Sequence, residues 1–298
     1  MRPGEWGRLF VIFAIVFATV LLIGVATSEV FAPQPATEEP TSPGVFAPER
    51  NLASGPVETG SIEVNETAPQ QTILIDAAHQ NTQVRDRAQV LTNVLTRRGH
   101  QVSYYNPENK IGQFEDRLSE VDAIVIIAPT QRYTRAEQTA LDDFVEEGGR
   151  VVLFAEPKRT SVNLFGEVTT RGQTESILTN YSISAGAGYL YEFDTGVGTF
   201  QTIAATSVSN QSLSHGVNTA IFHTSTSLTV GDEATPVLET RPTTNSSTLR
   251  ANASYIVAAR QDNVLVVGDS QFLTEQNYQK SDNEELVGNL IKFLIGAE

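Results

Sequence analysis

Four short runs of aliphatic and β-branched residues constrain this chain most: 72–77 (TILIDA), 122–128 (DAIVIIA), 150–155 (RVVLFA) and 263–268 (NVLVVG). Each is too short for a stable helix and nearly free of polar alternation. That pattern marks a strand buried on both faces, as in a parallel sheet. Helical spacing fills the gaps. Val84, Ala88, Leu91, Val94 and Leu95 share one face of a helix over 83–98, and Gly99 supplies its stop. Residues 101–105 read as a further strand. Thr134 and Glu137 form a capping box that opens a helix to Glu147, which Gly148 and Gly149 end. The alternation predicts an α/β fold with a parallel sheet and right-handed crossovers. Regularity then weakens. A helix is expected over 174–180, and 187–238 hold short Ser/Thr-rich alternating segments that read as strands or edge loops. Two strands over 254–259 and 263–268 join through a tight turn, and a last helix runs from Asp282 to Leu294, burying Leu286, Leu290, Phe293 and Leu294.

Residues 9–26 (LFVIFAIVFATVLLIGVA) carry no charge over 18 positions. As a helix they reach roughly 27 Å, close to the ~30 Å hydrocarbon core of a bilayer. Arg2 and Arg8 precede the run, Trp6 sits at the interfacial position, and no Lys or Arg follows until Arg50. The positive-inside rule therefore places residues 1–8 in the cytoplasm and everything after the run outside the cell membrane. A signal peptide cut near Val30-Phe31-Ala32 is the rival reading, but Pro33 follows directly and the apolar run exceeds the ~7–15 residues of a signal core. Residues 27–70 hold seven of the thirteen prolines and few large apolar side chains, so they read as a disordered, semi-extended linker. The α/β domain is expected over 71–298. Asn65, Asn180, Asn210, Asn245 and Asn252 begin Asn-x-Ser/Thr triplets, which fit an exported chain and also arise by chance in one rich in Asn, Ser and Thr.

Charge and cysteine bound the function. The formal net charge is −15, and Lys110, Lys158, Lys280 and Lys292 are the only lysines. Such a surface suits a salt-rich, halophilic setting, where ions screen carboxylate repulsion. It argues against nucleic acid as a partner. There is no cysteine, which excludes disulfides, thiolate metal ligands, a thiol nucleophile and a lipoprotein anchor. His215 and His223 match no zinc spacing, so neither a metal nor a cofactor is expected. Gly186-x-Gly188 and Gly196-x-Gly198 open no helix after a strand and do not form a phosphate loop.

The stretches ILIDAAHQNTQ, GHQVSYY, DAIVIIAPT, EEGGRVVLFAEP and VLVVGDSQFLTEQNYQKSDNEELVGNLIKFL resemble the prokaryotic domain of unknown function 4350, as do GAGYLYEFDTGVGTFQTIAA and GVNTAIFHTSTSL in the middle of the chain. The resemblance covers about 71–298 and is most specific at Gly268-Asp269-Ser270, Phe272-Leu273-Thr274, Asn283 and the closing apolar helix. It implies a class I glutamine-amidotransferase-like fold, a flavodoxin-like parallel sandwich related to auxiliary domains of gliding-motility ABC transport systems. It implies no activity. The amidotransferase reaction needs a cysteine nucleophile, which this chain lacks.

In an open parallel sheet, ligands sit beyond the carboxyl ends of the strands. Asp76, His79 and Asn81 follow the first predicted strand, Thr130 the third, Glu156 the fourth, and Asp269 and Ser270 the last. Asp76, His79 and Asp269 are expected to converge on one surface rim. Two carboxylates and an imidazole there could bind a metal or act as general acid and base, or line a small-ligand or peptide pocket. They could equally cap helices and satisfy loop amides. Ser270 lacks the Gly-x-Ser-x-Gly setting of a hydrolase elbow, because Phe272 stands at the last position. Two functions stay open: a membrane-anchored, non-enzymatic binding or accessory domain with a membrane-protein partner, and an extracytoplasmic hydrolase using the Asp/His/Asp rim.

Overall fold

The computed structural model describes residues 60–64, 68–81, 83–106, 113–163, 166–170, 172–193, 199–208 and 212–298. The apolar run 9–26 and most of the 27–70 linker lie outside them. Among the described residues, no helix is long and apolar enough to cross a membrane.

The predicted α/β alternation holds through the first half. Strands β1 (Thr72–Asp76), β2 (Gln101–Tyr105), β3 (Ala123–Ile127) and β4 (Arg150–Phe154) alternate with helices α1 (Val84–Arg97), α2 (Gln113–Leu118) and α3 (Arg135–Glu146). The capping box forms as expected: the Thr134 hydroxyl accepts the Glu137 N–H, and Glu137 Oε2 accepts the Thr134 N–H at 2.8 Å. All five residues of β3 are fully buried, which fits its uninterrupted apolar run. Alternate residues feed two cores. Ile73, Ile75, Val125, Val152 and Phe154 pack with Leu91 and Leu95 of α1, whereas Leu74, Ile124, Ile126 and Leu153 pack with Leu141 and Phe144 of α3. Burial on both faces explains why these strands lack polar alternation.

The second half departs from a parallel sheet. After β4 come a hairpin of β5 (Arg159–Asn163) and β6 (Gly166–Thr170), the short helix α4 (Glu175–Leu178) and then β7 (Ile183–Tyr191), β8 (Thr202–Ser207), β9 (Ala220–His223), β10 (Thr226–Val230), β11 (Thr235–Thr240), β12 (Asn245–Ser246), β13 (Ile256–Gln261) and β14 (Val264–Val267). The main path of the twelve-stranded sheet runs β12-β7-β10-β13-β14-β4-β3-β1-β2, with β11, β8 and β9 attached through β13. Among the described residues only β2, β1, β3, β4 and β14 pair in parallel; the other ladders of this sheet are antiparallel. Between β4 and β14 the longest α-helix among the described residues has four residues. That is too little for the crossovers that parallel pairing needs, so the segments fold back on one another. The fold is thus mixed α/β with a sheet-dominated core, and the fully parallel expectation holds for one block.

Helix α5 (Asn283–Ile295) closes the fold on the α1 side, with Leu286, Leu290, Phe293 and Leu294 buried as predicted. Residues 60–64, which composition assigns to the linker, pack onto the domain. Val64 is buried, Gln279 Nε2 donates to the Gly60 carbonyl at 3.1 Å, and a Cβ at Gly288 of α5 would stand 3.0 Å from the Glu63 carbonyl oxygen.

Candidate functional site

Parallel pairing brings the carboxyl ends of β1, β3, β4 and β14 to one edge, and all seven candidate residues lie at those strand ends or in the segments that follow them. They do not make one site. Two strands, β3 and β4, stand between β1 and β14, and three strand spacings amount to about 14 Å. Among the described residues, no hydrogen bond or ion pair joins Asp76 or His79 to Asp269. Nor are these residues on the surface: Asp76, His79 and Asp269 are 0%, 3% and 0% exposed. They stay inside because their polar atoms find partners there.

The first group surrounds Asp76. His79 Nδ1 donates to its carboxylate, 3.0 Å from each oxygen, and the Tyr133 hydroxyl donates to Oδ2 at 2.5 Å. Asn81 Nδ2 donates to the same oxygen at 3.1 Å, and the Ala78 N–H to Oδ1 at 3.1 Å. The other imidazole nitrogen, Nε2, lies 3.3 Å from Glu137 Oε1. Tyr133 stacks on the imidazole with ring centroids 3.6 Å apart. Burial alone would lower the His79 pKa, but the two carboxylates outweigh it and hold it above the ordinary histidine value. Burial and the Asp76 charge push the Tyr133 hydroxyl well above its usual range.

Thr130 belongs to this group through the backbone. Its N–H and that of Gln131 both donate to the His79 carbonyl at 3.0 Å, and its hydroxyl donates to the Gln80 carbonyl at 2.9 Å. The β1 and β3 loops are thereby tied across the position where the strand order reverses, which in such sheets is the ligand crevice. Gln80, Gln83 and Ala128 in these loops adopt left-handed φ values of 50°, 53° and 44°.

The second group centres on Glu156. Its Oε1 lies 2.5 Å from Arg87 Nη1 and accepts the Ser270 hydroxyl at 2.6 Å and the Ser270 N–H at 3.2 Å. Arg87 Nη1 also donates to Ser270 Oγ. Asp269 accepts backbone N–H bonds at 2.8 Å from His223 and from Gln271. Gly268 permits this approach, because a Cβ there would stand 2.2 Å from the Thr226 carbonyl oxygen. Burial, with the Glu156 charge behind it, pushes the Asp269 carboxyl up to about 7 against the pull of its two amide donors and Arg87.

Tyr133, Glu137 and Arg87 complete the groups, and strand-end reasoning does not reach them. Arg87 carries a signal: it stands three residues after Val84 and four before Leu91, on the face of α1 that turns inward. Glu137 reads from the sequence only as a cap, and nothing in the local pattern marks Tyr133. His223, in the irregular middle, meets Asp269 through its backbone N–H alone among the contacts described above. Clefts of about 610 Å³ and about 600 Å³ open beside Gly60 and Ser61, and no candidate residue lines either. Of the five triplet asparagines, Asn180 and Asn252 are exposed, Asn245 lies in β12, and Asn65 and Asn210 fall outside the described residues.

Chemically, each group is a closed polar knot. An imidazole between two carboxylates can store a proton. Among the described residues, the side-chain hydroxyl bonded to this pair is that of Tyr133, which donates to Asp76, stacks on the imidazole and is kept protonated by its raised pKa.

A family model described as a domain of unknown function (DUF4350) matches residues 88–291. No curated protein matches the chain. Among solved structures, the mmIFT52 N-terminal domain superposes with a TM-score of 0.57 at 16% identity, over 75% of this chain and 96% of that one. A ThuA-like protein from Bacteroides uniformis superposes with a TM-score of 0.50 at 13% identity, over 79% of this chain and 95% of that one. At such identities the likeness is one of fold.

Proposed function

Since the chain belongs to the DUF4350 family, we propose its role from its own geometry: a non-enzymatic binding or accessory domain, anchored by residues 9–26 and displayed outside the membrane. Its partner is a membrane protein, within a transport or cell-envelope complex. We read the parallel block, ordered β2-β1-β3-β4-β14, as the flavodoxin-like or glutamine-amidotransferase-like sandwich that the sequence resembles.

One observation carries the reading. The edge where such a sheet does its chemistry is knotted shut, with Asp76, His79, Glu156, Asp269 and Ser270 buried among their hydrogen-bond partners. The rim residues then act as fasteners. The Asp/His/Asp hydrolase reading loses support because about 14 Å of sheet separates its two halves. Apolar surface suited to a partner stands elsewhere. Phe193 and Phe200 are 81% and 49% exposed, and both rings lean on Tyr191, at 5.3 and 6.5 Å. Exposed aromatics of this kind anchor protein interfaces.

Crosslinking in native membranes followed by capture of the full-length chain tests this. One membrane protein should be recovered, and replacing Phe193 and Phe200 by Ser should reduce its yield without changing the melting temperature. Protease added to intact cells should remove the domain and leave a membrane fragment containing Met1. A catalysed hydrolysis abolished by Asp76→Asn, with no partner captured, would replace this reading with the hydrolase.

A further inference from the structure

Among the described residues, two buried oxygens near the end of β7 have no hydrogen-bond partner: Oε2 of Glu192, a residue 4% exposed, and the hydroxyl of Thr244, fully buried. Strand register places them together. In the β7–β12 ladder Asn245 pairs with Tyr191 and Ser246 with Leu190, and the Ser247 N–H donates to the Tyr189 carbonyl at 2.9 Å. One step further along the same antiparallel register sets Thr244 opposite Glu192. Opposite residues project from the same face with Cβ atoms about 4.5–5.5 Å apart. Leu190 and Ser246, two residues back on each strand, are buried on that face as well.

The charge is as telling as the geometry. Glu192 Oε1 accepts the Thr243 hydroxyl at 2.5 Å. Among the described residues no Lys, Arg or His forms an ion pair with Glu192. A carboxylate held inside a protein needs hydrogen-bond donors and a compensating positive charge, or it takes up a proton and becomes neutral. A water between the two oxygens would supply the hydrogen bonds and leave the charge unbalanced. A hard monovalent cation supplies both requirements, since carboxylate and hydroxyl oxygens are the ligands such ions prefer. A divalent ion suits the position less well, because it draws several carboxylates, and among the described residues no group of three His, Cys, Asp or Glu side chains is placed to hold a metal ion.

We propose that Glu192 Oε2 and Thr244 Oγ1 hold a sodium or potassium ion that pins β12 to β7. The site lies on the face of β7 opposite Tyr189 and Tyr191 and does not depend on the proposed membrane partner.

The test is thermal melting of the full-length chain in detergent, in choline chloride, NaCl and KCl at matched ionic strength. General screening of the −15 charge is then common to all three salts. The melting temperature should be several degrees higher in NaCl or KCl than in choline chloride, and the gain should saturate with concentration as ligand binding does. Whichever alkali salt gives the larger gain names the ion. The gain should disappear in Glu192→Gln, shrink in Thr244→Val and survive in Thr244→Ser. Equal melting in the three salts overturns the proposal, as does an undiminished gain in Glu192→Gln. If Glu192→Gln does not fold, Thr244→Val, which keeps the side-chain shape, decides in its place: an undiminished gain in that variant overturns the proposal.

Discussion

Arg87→Met removes a guanidinium that is 3% exposed and sits 2.5 Å from Glu156 Oε1, and it leaves the chain of α1 otherwise intact. Glu156 would stay buried, 6% exposed at its side chain, with the Ser270 hydroxyl and N–H among its donors. Asp269, whose carboxyl the Glu156 charge already pushes upward, would lose the nearby positive charge that opposes the push. Breaking a buried ion pair from one side costs about 3–5 kcal/mol. For a domain of this size, each kcal/mol moves the melting temperature by roughly 2–4 °C, so a fall of about 10 °C is expected. Removing the second charge as well should return part of it. Arg87→Met with Glu156→Gln should be less destabilised than the sum of the single variants by about 1–3 kcal/mol. Calorimetry on the four proteins closes the cycle. A single-variant loss below about 1 kcal/mol, or additivity within about 0.5 kcal/mol, would refute the view that these groups fasten the sheet edge.

The β1 loop gives two more expected outcomes. His79 holds its proton more tightly folded than unfolded, so its contribution is complete below the unfolded value of 6.5 and is lost as pH rises through the higher folded value. Melting curves should show stability falling above about pH 6.5, and His79→Gln should flatten that part of the profile; an unchanged slope refutes the assignment. Gln83 begins α1 at φ 53° with no side-chain cap and is exposed, so Gln83→Gly should stabilise by about 0.5–1 kcal/mol, read by denaturant titration, and a loss would show that its side chain makes a needed contact.

How much of the fold is legible in the sequence depends on how completely each element is buried. Strands β1, β3, β4 and β14 announce themselves because both faces are covered, which forces nearly every position to be apolar. Strand β7 does not: with Ser184, Gly186 and Gly188 among its nine residues, its half-exposed pattern resembles a loop. The short helix α2, QFEDRL, has only Phe114 and Leu118 to bury. The rim residues can be placed at strand ends from sequence because parallel topology fixes the edge. Their partners cannot, because Tyr133 reaches Asp76 from 57 positions away and Arg87 reaches Ser270 from 183. Asp, His and Ser at strand ends read alike whether they face a ligand or one another.

The parallel block is discontinuous along the chain, and this bears on how the protein is made. Strand β4 emerges with β3 on one side, but its other neighbour, β14, follows only after residues 155–263 have been synthesised. Until then the apolar edge of β4, with the backbone groups that later pair with Val264–Val267, has no partner within its own sheet. An unpaired hydrophobic edge is a template for association between chains, and pairing across so long a separation is slow. Nascent chains that end before β14 should therefore be the aggregation-prone species, and arrival of the VLVV strand is the step that commits the earlier half to its final sheet.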